Sequence, residues 1–217
     1  MNIIKCDGLN VVEHSTYCSI NSLYNTSLQT INIPLEVIGK KVTDIDKEAF
    51  LNNQLIEAVN IEKNIHNIDV RAFAGCTQLK YLFVKPGYEI TTIQNEAFSG
   101  CSLLTGLTCL KPTILHEYSF VNCRNVRSID GNFIKIANGA FENCYSLHTV
   151  NLHSQVHIDE HAFENCKNLT NIYIIKDIKG SAKFLERLNS KTVVHCRADS
   201  KLANLAYSGY KIVADIT

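Results

Sequence analysis

Apolar residues recur along this chain at fixed offsets from a series of phenylalanines. With Phe50, Phe73, Phe98, Phe120, Phe141 and Phe163 as origins, five residues earlier stand Ile45, Ile68, Ile93, Leu115, Ile136 and Ile158. Six residues later come Ile56, Leu79, Leu104, Val126, Leu147 and Leu169, and nine later Val59, Leu82, Leu107, Ile129, Val150 and Ile172. Every one of these positions is aliphatic. Around the last column the apolar residues alternate, as in Leu28-Gln29-Thr30-Ile31-Asn32-Ile33, which is the period of a strand. The phenylalanines lie 23, 25, 22, 21 and 22 residues apart. A period of this size predicts a solenoid in which each coil buries its apolar side only by stacking on its neighbours, with the strands pairing in parallel.

The phenylalanines sit in a returning phrase: Ala72-Phe73-Ala74-Gly75-Cys76, Ala97-Phe98-Ser99-Gly100-Cys101, Ser119-Phe120-Val121-Asn122-Cys123, Ala140-Phe141-Glu142-Asn143-Cys144 and Ala162-Phe163-Glu164-Asn165-Cys166. Ala49-Phe50-Leu51-Asn52-Asn53 is a first copy with asparagine in place of cysteine. Three regions follow, all parts of one elongated domain: an N-terminal cap over 1–27, repeats over 28–175 and closing coils over 176–217. In the cap, Leu9-Asn10-Val11-Val12 and Tyr17-Cys18-Ser19-Ile20 read as strands. In the closing coils, Ser181 reads as the cap of an amphipathic helix through Leu188, and 200–207 as a second helix, with strands at 192–196 and 211–216. Two irregularities stand out: Lys85-Pro86-Gly87-Tyr88-Glu89 reads as a turn, and Asp130-Gly131 interrupts a strand, with Phe133 as a replacement filler.

Charge adds little. Lys plus Arg and Asp plus Glu number 21 each, so no global field draws nucleic acid or anionic lipid. The start of the chain does not read as an export signal, and no apolar run approaches the roughly 18 residues of a membrane span. As it stands, the chain reads as cytoplasmic, without membrane insertion. Nine cysteines, five of them at one repeat position, point to packing rather than a disulfide scaffold.

The repeated unit resembles the BspA-like leucine-rich repeat, roughly L-x-x-I-x-I-P-x-x-V-x-x-I-G-x-x-A-F-x-G/N-C-x-x-L, over about 28–175. The resemblance implies a curved leucine-rich-repeat solenoid, mainly parallel β with short helical turns, and a binding role, adhesin-like or scaffolding. It also implies a cell-surface or secreted location as the alternative to the cytoplasm.

Several residue sets invite chemistry. The cysteine column lies along a line with about 4.8 Å between coils, whereas a zinc ion needs four converging ligands. Cys6 and Cys18 stand outside the register, either reduced or bridged in an exported protein. His157 and His161, with Asp159 and Glu160 between them, have the spacing of helical metal ligands, but Ile158 is a core position and the segment does not read as one helix. No nucleophile elbow, phosphate loop or dinucleotide motif is present, so no catalytic residue, metal or cofactor is expected. Outward strand positions fall eight, ten and twelve after each phenylalanine, on a sheet expected to be concave. Tyr81, Phe83, Lys85, Leu110, Asn151, His153, Tyr173 and Ile175 are the candidates there for binding a protein or peptide, because exposed aromatic and aliphatic groups anchor interfaces. The alternative is a structural spacer or oligomerisation domain; a monomer is favoured.

Overall fold

The computed structural model describes residues 2–61, 64–85, 90–208 and 211–216; the side chains of residues 107–112 and 206–208 lie outside that description. The chain opens with β1 (Asn2–Cys6), β2 (Leu9–Glu13) and β3 (Cys18–Leu23), which pair antiparallel in sequence order. Leu9, Val11, Cys18 and Ile20 are buried beneath this meander.

The coils follow. The first carries β4 (Thr30–Ile33), β5 (Glu36–Val37) and β6 (Lys40–Ile45). The next two carry β7 (Ala58–Ile61) with β8 (Asn67–Ile68), and β9 (Tyr81–Val84) with β10 (Thr92–Ile93). Then come the long strands β11 (Gly106–Leu115) and β12 (Ser128–Ile136), β13 (Thr149–Leu152) with β14 (Val156–Ile158), and β15 (Asn171–Ile174) with β16 (Ile178–Lys179). β17 (Val193–Arg197) and β18 (Ile212–Ile216) end the chain. The whole is a parallel β-solenoid of about eight turns.

Each coil contributes to two strand columns. The second column runs β6–β8–β10 and on through the C-terminal halves of β11 and β12 to β14 and β16. β3 joins its start in parallel, pairing Cys18 with Val42 and Ile20 with Ile45, so the meander covers this column. The first column splits into two ladders: β4–β7–β9 form a three-stranded sheet, and the column resumes at β11 and continues through β12, β13, β15 and β17 to β18. The split falls in the longest repeat, where Leu82 and Val84 are only half-buried, unlike Val59 and Ile61 before them. The expected Pro86-Gly87 turn lies outside the described residues.

Asp130-Gly131 does not interrupt its strand. β12 runs through it, both residues pair with β13, and Phe133 is fully buried where the strand turns the corner into the second column. All the columned aliphatics are buried except Leu82, with Leu107 outside the described side chains. Each is worth about 1.5–3 kcal/mol relative to exposure, before conformational entropy is charged.

The third side of each coil is the Ala-Phe turn. Its amides alternate between two acceptors. Phe73 and Gly75 donate to Ala97 and Ser99 of the next coil, while Ala74 and Cys76 close the turn onto Arg71 and Phe73. The backbone is thus paired between coils on this side as well, as buried polar groups require. The phenyl rings stack in one column, with centroids 4.8 to 5.7 Å apart from Phe50 to Phe163.

The closing coils differ from expectation. Residues 183–187 and 203–208 form 3-10 turns, not amphipathic α-helices. Leu188 is already extended (φ −73°, ψ 149°), and the first helical turn is flanked by Ala182 rather than Ser181, whose hydroxyl accepts only the Lys183 amide at 3.3 Å. A coil that must bury Phe184 and Leu185 and reach β17 within a few residues has room for one tight turn, the length at which 3-10 geometry is common.

Candidate functional site

The strand period positions the candidate face. Along β9 the side chains alternate, so Tyr81 and Phe83 project to one side and Leu82 and Val84 to the other. Tyr81 is 47% and Phe83 56% exposed. Their rings stack on each other at 5.6 Å and 20°, a contact that shields one face of each ring while the rest remains in water. Lys85 follows, exposed, with its amide bonded to Ile61 of the preceding coil. Three aromatic or cationic groups therefore stand at one place on the first column. The Leu110 side chain lies outside the described residues, so its membership is not described.

Further along the column the outward groups are tied to one another. Asp130 accepts from Asn151 Nδ2 at 3.0 Å and meets His153 Nε2 at 2.9 Å. Tyr173 is half-buried and stacks on His195 at 4.3 Å. His195 contacts Asp215 through Nδ1 at 2.8 Å and Asn171 through Nε2 at 3.1 Å. Ile175 is half-buried, its amide on Leu152. The candidates therefore form three groups: an aromatic pair on β9, an Asp130–Asn151–His153 cluster around β12 and β13, and a cluster of Tyr173, His195, Asn171 and Asp215 across β15, β17 and β18. Four coil steps, roughly 19 Å, separate β9 from β15.

His195 was not among the sequence candidates. Its signal was the period: it stands 22 residues after Tyr173 and pairs with it in register, although the Ala-Phe phrase has lapsed.

The tempting chemical sets resolve as structure. Each column thiol donates to the phenylalanine carbonyl of the coil before it: Cys76 to Phe50, Cys101 to Phe73, Cys123 to Phe98, Cys144 to Phe120 and Cys166 to Phe141, at 3.0 to 3.3 Å. Burial pushes the Cys76 and Cys166 thiols up to about 12 and the three between them well above the ordinary thiol value, so all five stay protonated and unreactive near neutrality. Cys6 and Cys18 are free; Cys18 is buried with Sγ 3.7 Å from the Val37 carbonyl, and Cys6 contacts Asp7. His157 bonds Asp159 at 2.8 Å and His161 bonds Glu164 at 2.7 Å. Among the described residues no group of three His, Cys, Asp or Glu is placed to hold a metal ion.

One set had no sequence signal. Ser19 Oγ lies 2.9 Å from His14 Nε2 and donates to Asp46 Oδ2 at 3.0 Å. A nucleophilic serine gives its proton to the histidine, and the carboxylate orients that histidine from the far nitrogen. Here the hydroxyl proton is committed to Asp46, and Ser19 is fully buried. The trio ties the meander to the first Ala-Phe turn.

With the repeat geometry in view, the family is decided by a model of the BspA-type leucine-rich repeat region, which matches six copies over residues 2–105 and 91–212. The chain belongs to the BspA-type leucine-rich repeat family. Members of this repeat family are generally interaction or surface proteins and generally non-enzymatic. No curated protein is detectably similar in sequence. Among solved structures, the T. pallidum leucine-rich repeat protein superposes with a TM-score of 0.70 at 18% identity over 100% of both chains. The pneumococcal vaccine antigen PcpA gives 0.66 at 15% identity, covering 99% of this chain and 48% of PcpA. A leucine-rich cell surface protein from Faecalibacterium prausnitzii gives 0.61 at 21%, covering 79% of this chain and 54% of the other. These likenesses concern the fold. This BspA-type chain spans about half the length of the latter two, and among its described residues no helix is long and apolar enough to cross a membrane.

Proposed function

We propose that this BspA-type repeat chain is a protein-interaction module that captures a protein or peptide on the outward face of its first strand column, anchored at Tyr81 and Phe83. The observation that carries this reading is the exposed, mutually stacked aromatic pair on β9. Two rings already held against each other lose little freedom on docking, and buried aromatic anchors dominate interface energies, commonly at 2 kcal/mol or more. Lys85, Asn151, His153, Tyr173 and Ile175 would form the polar and apolar surround.

The test is capture from an extract of the native cell, with partners identified by mass spectrometry and their affinity measured for the parent and for Tyr81→Ser/Phe83→Ser. The double variant is expected to weaken binding by at least about 30-fold, which corresponds to 2 kcal/mol, with an unchanged melting temperature. Unchanged affinity would remove the site.

The structural alternative, end-to-end association, has one observation in its favour: β18 is the last strand of its sheet, and Val213 on it is exposed. A mass that stays monomeric at all concentrations argues against it. The cell surface is a location consistent with the F. prausnitzii protein's name, and surface biotinylation of intact cells distinguishes it from the cytoplasm.

A further inference from the structure

Four residues after each phenylalanine, on the rim between the Ala-Phe turn and the first strand column, stand Gln54, Thr77, Ser102, Arg124, Tyr145 and Lys167. The last three make a distinct surface. The Arg124 guanidinium lies 5.8 Å and the Lys167 ammonium 5.7 Å from the centre of the Tyr145 ring. One reaches it from the preceding coil and the other from the following coil. Arg127, three residues beyond Arg124, is exposed. Lys191 extends the stripe onto the next coil, where Asn189 binds the Cys166 and Leu169 carbonyls and holds the Lys191 amide at 2.9 Å.

Of the five arginines in the chain, Arg71, Arg187 and Arg197 each bind a carboxylate. Among the described residues, Arg124, Arg127, Lys167 and Lys191 enter no ion pair. Glu142 and Glu164, three residues before Tyr145 and Lys167, keep their charge and offset part of this positive charge, but neither pairs with these cations: Glu164 bonds His161 at 2.7 Å and Glu142 accepts from Asn143 at 3.5 Å. In a chain of zero formal net charge, four unpaired cations along one rim are a local excess. Such an excess attracts anions in an ionic-strength-dependent way.

The geometry narrows the anion. Arg124 and Lys167 are two coils apart, roughly 10 Å, with Tyr145, 36% exposed, between them. An extended peptide advances about 3.3 Å per residue, so carboxylates two to four residues apart span this distance with one residue left over the ring. Arginine offers the bidentate fork that matches a carboxylate. Nucleic acid fits less well, because single-strand binding relies on successive stacking platforms along a charged groove, and this rim presents one ring.

We propose that Arg124 and Lys167, which flank Tyr145, together with the exposed Arg127 and with Lys191 one coil beyond Lys167, form a second interaction surface that takes an acidic, extended segment of a partner protein, with an apolar residue over the ring. It is separate from the Tyr81–Phe83 face and stands or falls independently of it.

The test uses fluorescence anisotropy with a fluorescein-labelled ten-residue peptide carrying glutamate at every third position and a central leucine. Its glutamine counterpart, low-molecular-weight heparin and a ten-nucleotide oligothymidine are the comparisons. The glutamate peptide is expected to bind at low salt and the glutamine peptide not. Arg124→Gln/Arg127→Gln/Lys167→Gln should weaken binding at least about tenfold, and Tyr145→Ser several-fold, at unchanged melting temperature. Tyr81→Ser/Phe83→Ser should leave this binding unaltered. Absent binding of the glutamate peptide, equal binding of the glutamine peptide or indifference to the triple substitution overturns the proposal. So does tighter binding of heparin or oligonucleotide than of the peptide.

Discussion

The residue just before each cysteine position carries the backbone geometry of the turn. Asn52, Gly75, Gly100, Asn122, Asn143 and Asn165 all have positive φ, from 56° to 73°. Glycine and asparagine are the residues that enter this region at low cost, which is why the phrase alternates between them and no other type. Gly75→Ala is expected to destabilise by about 1–2 kcal/mol, because alanine is strained at φ 72° and its methyl would press on the Asn52 side chain. Asn165→Gly, at an exposed position of the same conformation, should stay within about 0.5 kcal/mol. Urea unfolding of the two variants measures the difference, and equal losses would mean that the turn is not the constraint. A second left-handed position, two residues before the phenylalanine, holds Glu48, Arg71, Glu96 and Tyr118 at φ 56° to 58° and Gly139 at 64°. Only the glycine betrays it; at the other four the inter-coil ladder rather than local preference imposes the conformation.

At the scale of the repeated element, the cysteine column is more than small apolar filling. The phenylalanine carbonyl of each turn accepts the amide three residues on, as Phe98 does from Cys101 at 3.1 Å, and also the thiol of the following coil, here Cys123 at 3.1 Å. The column position and its burial were legible in the sequence from the register. The S–H bond was not, because it depends on the thiol meeting the far lone pair across the coil spacing. The burial has a consequence at alkaline pH. Folding raises these thiol pKa values from 9.0, so the unfolded chain loses its protons first and stability falls as pH rises. Stability is expected to hold below about pH 9 and to decline toward about 12, with Cys76 and Cys166 each removing up to about 1.4 kcal/mol per pH unit. Thermal unfolding between pH 8 and 11 measures this. A variant with serine at all five positions, which keeps a donor but ionises far higher, should show a shallower decline, and an equal decline would contradict the assignment. The closing turns show the opposite limit: apolar spacing from Ala182 to Leu188 suits any helix, and only the distance left to β17 selects a single 3-10 turn.

At the scale of the whole molecule, the period carried most of what could be foreseen. Stacked coils repeat one register, so residues at one offset share one environment, and Tyr81, Phe83 and Lys85 emerged on the outward side of their strand. What the period could not carry was everything that breaks it. The first strand column parts between β9 and β11 within the longest repeat, and the contacts of Tyr173 and Asn151 depend on His195, Asp215 and Asp130 from neighbouring coils. The exposed aromatic pair therefore stands at the end of one ladder and the two polar clusters on the other. The central claim is that a partner docks at the first of these. The most direct measurement is photo-crosslinking with benzoylphenylalanine at position 83, against a control at position 118, which is exposed on the Ala-Phe turn of another side. Specific adducts with a captured partner from position 83 and none from position 118 are the predicted result. Adducts from 118 alone, or equally from both, would contradict it.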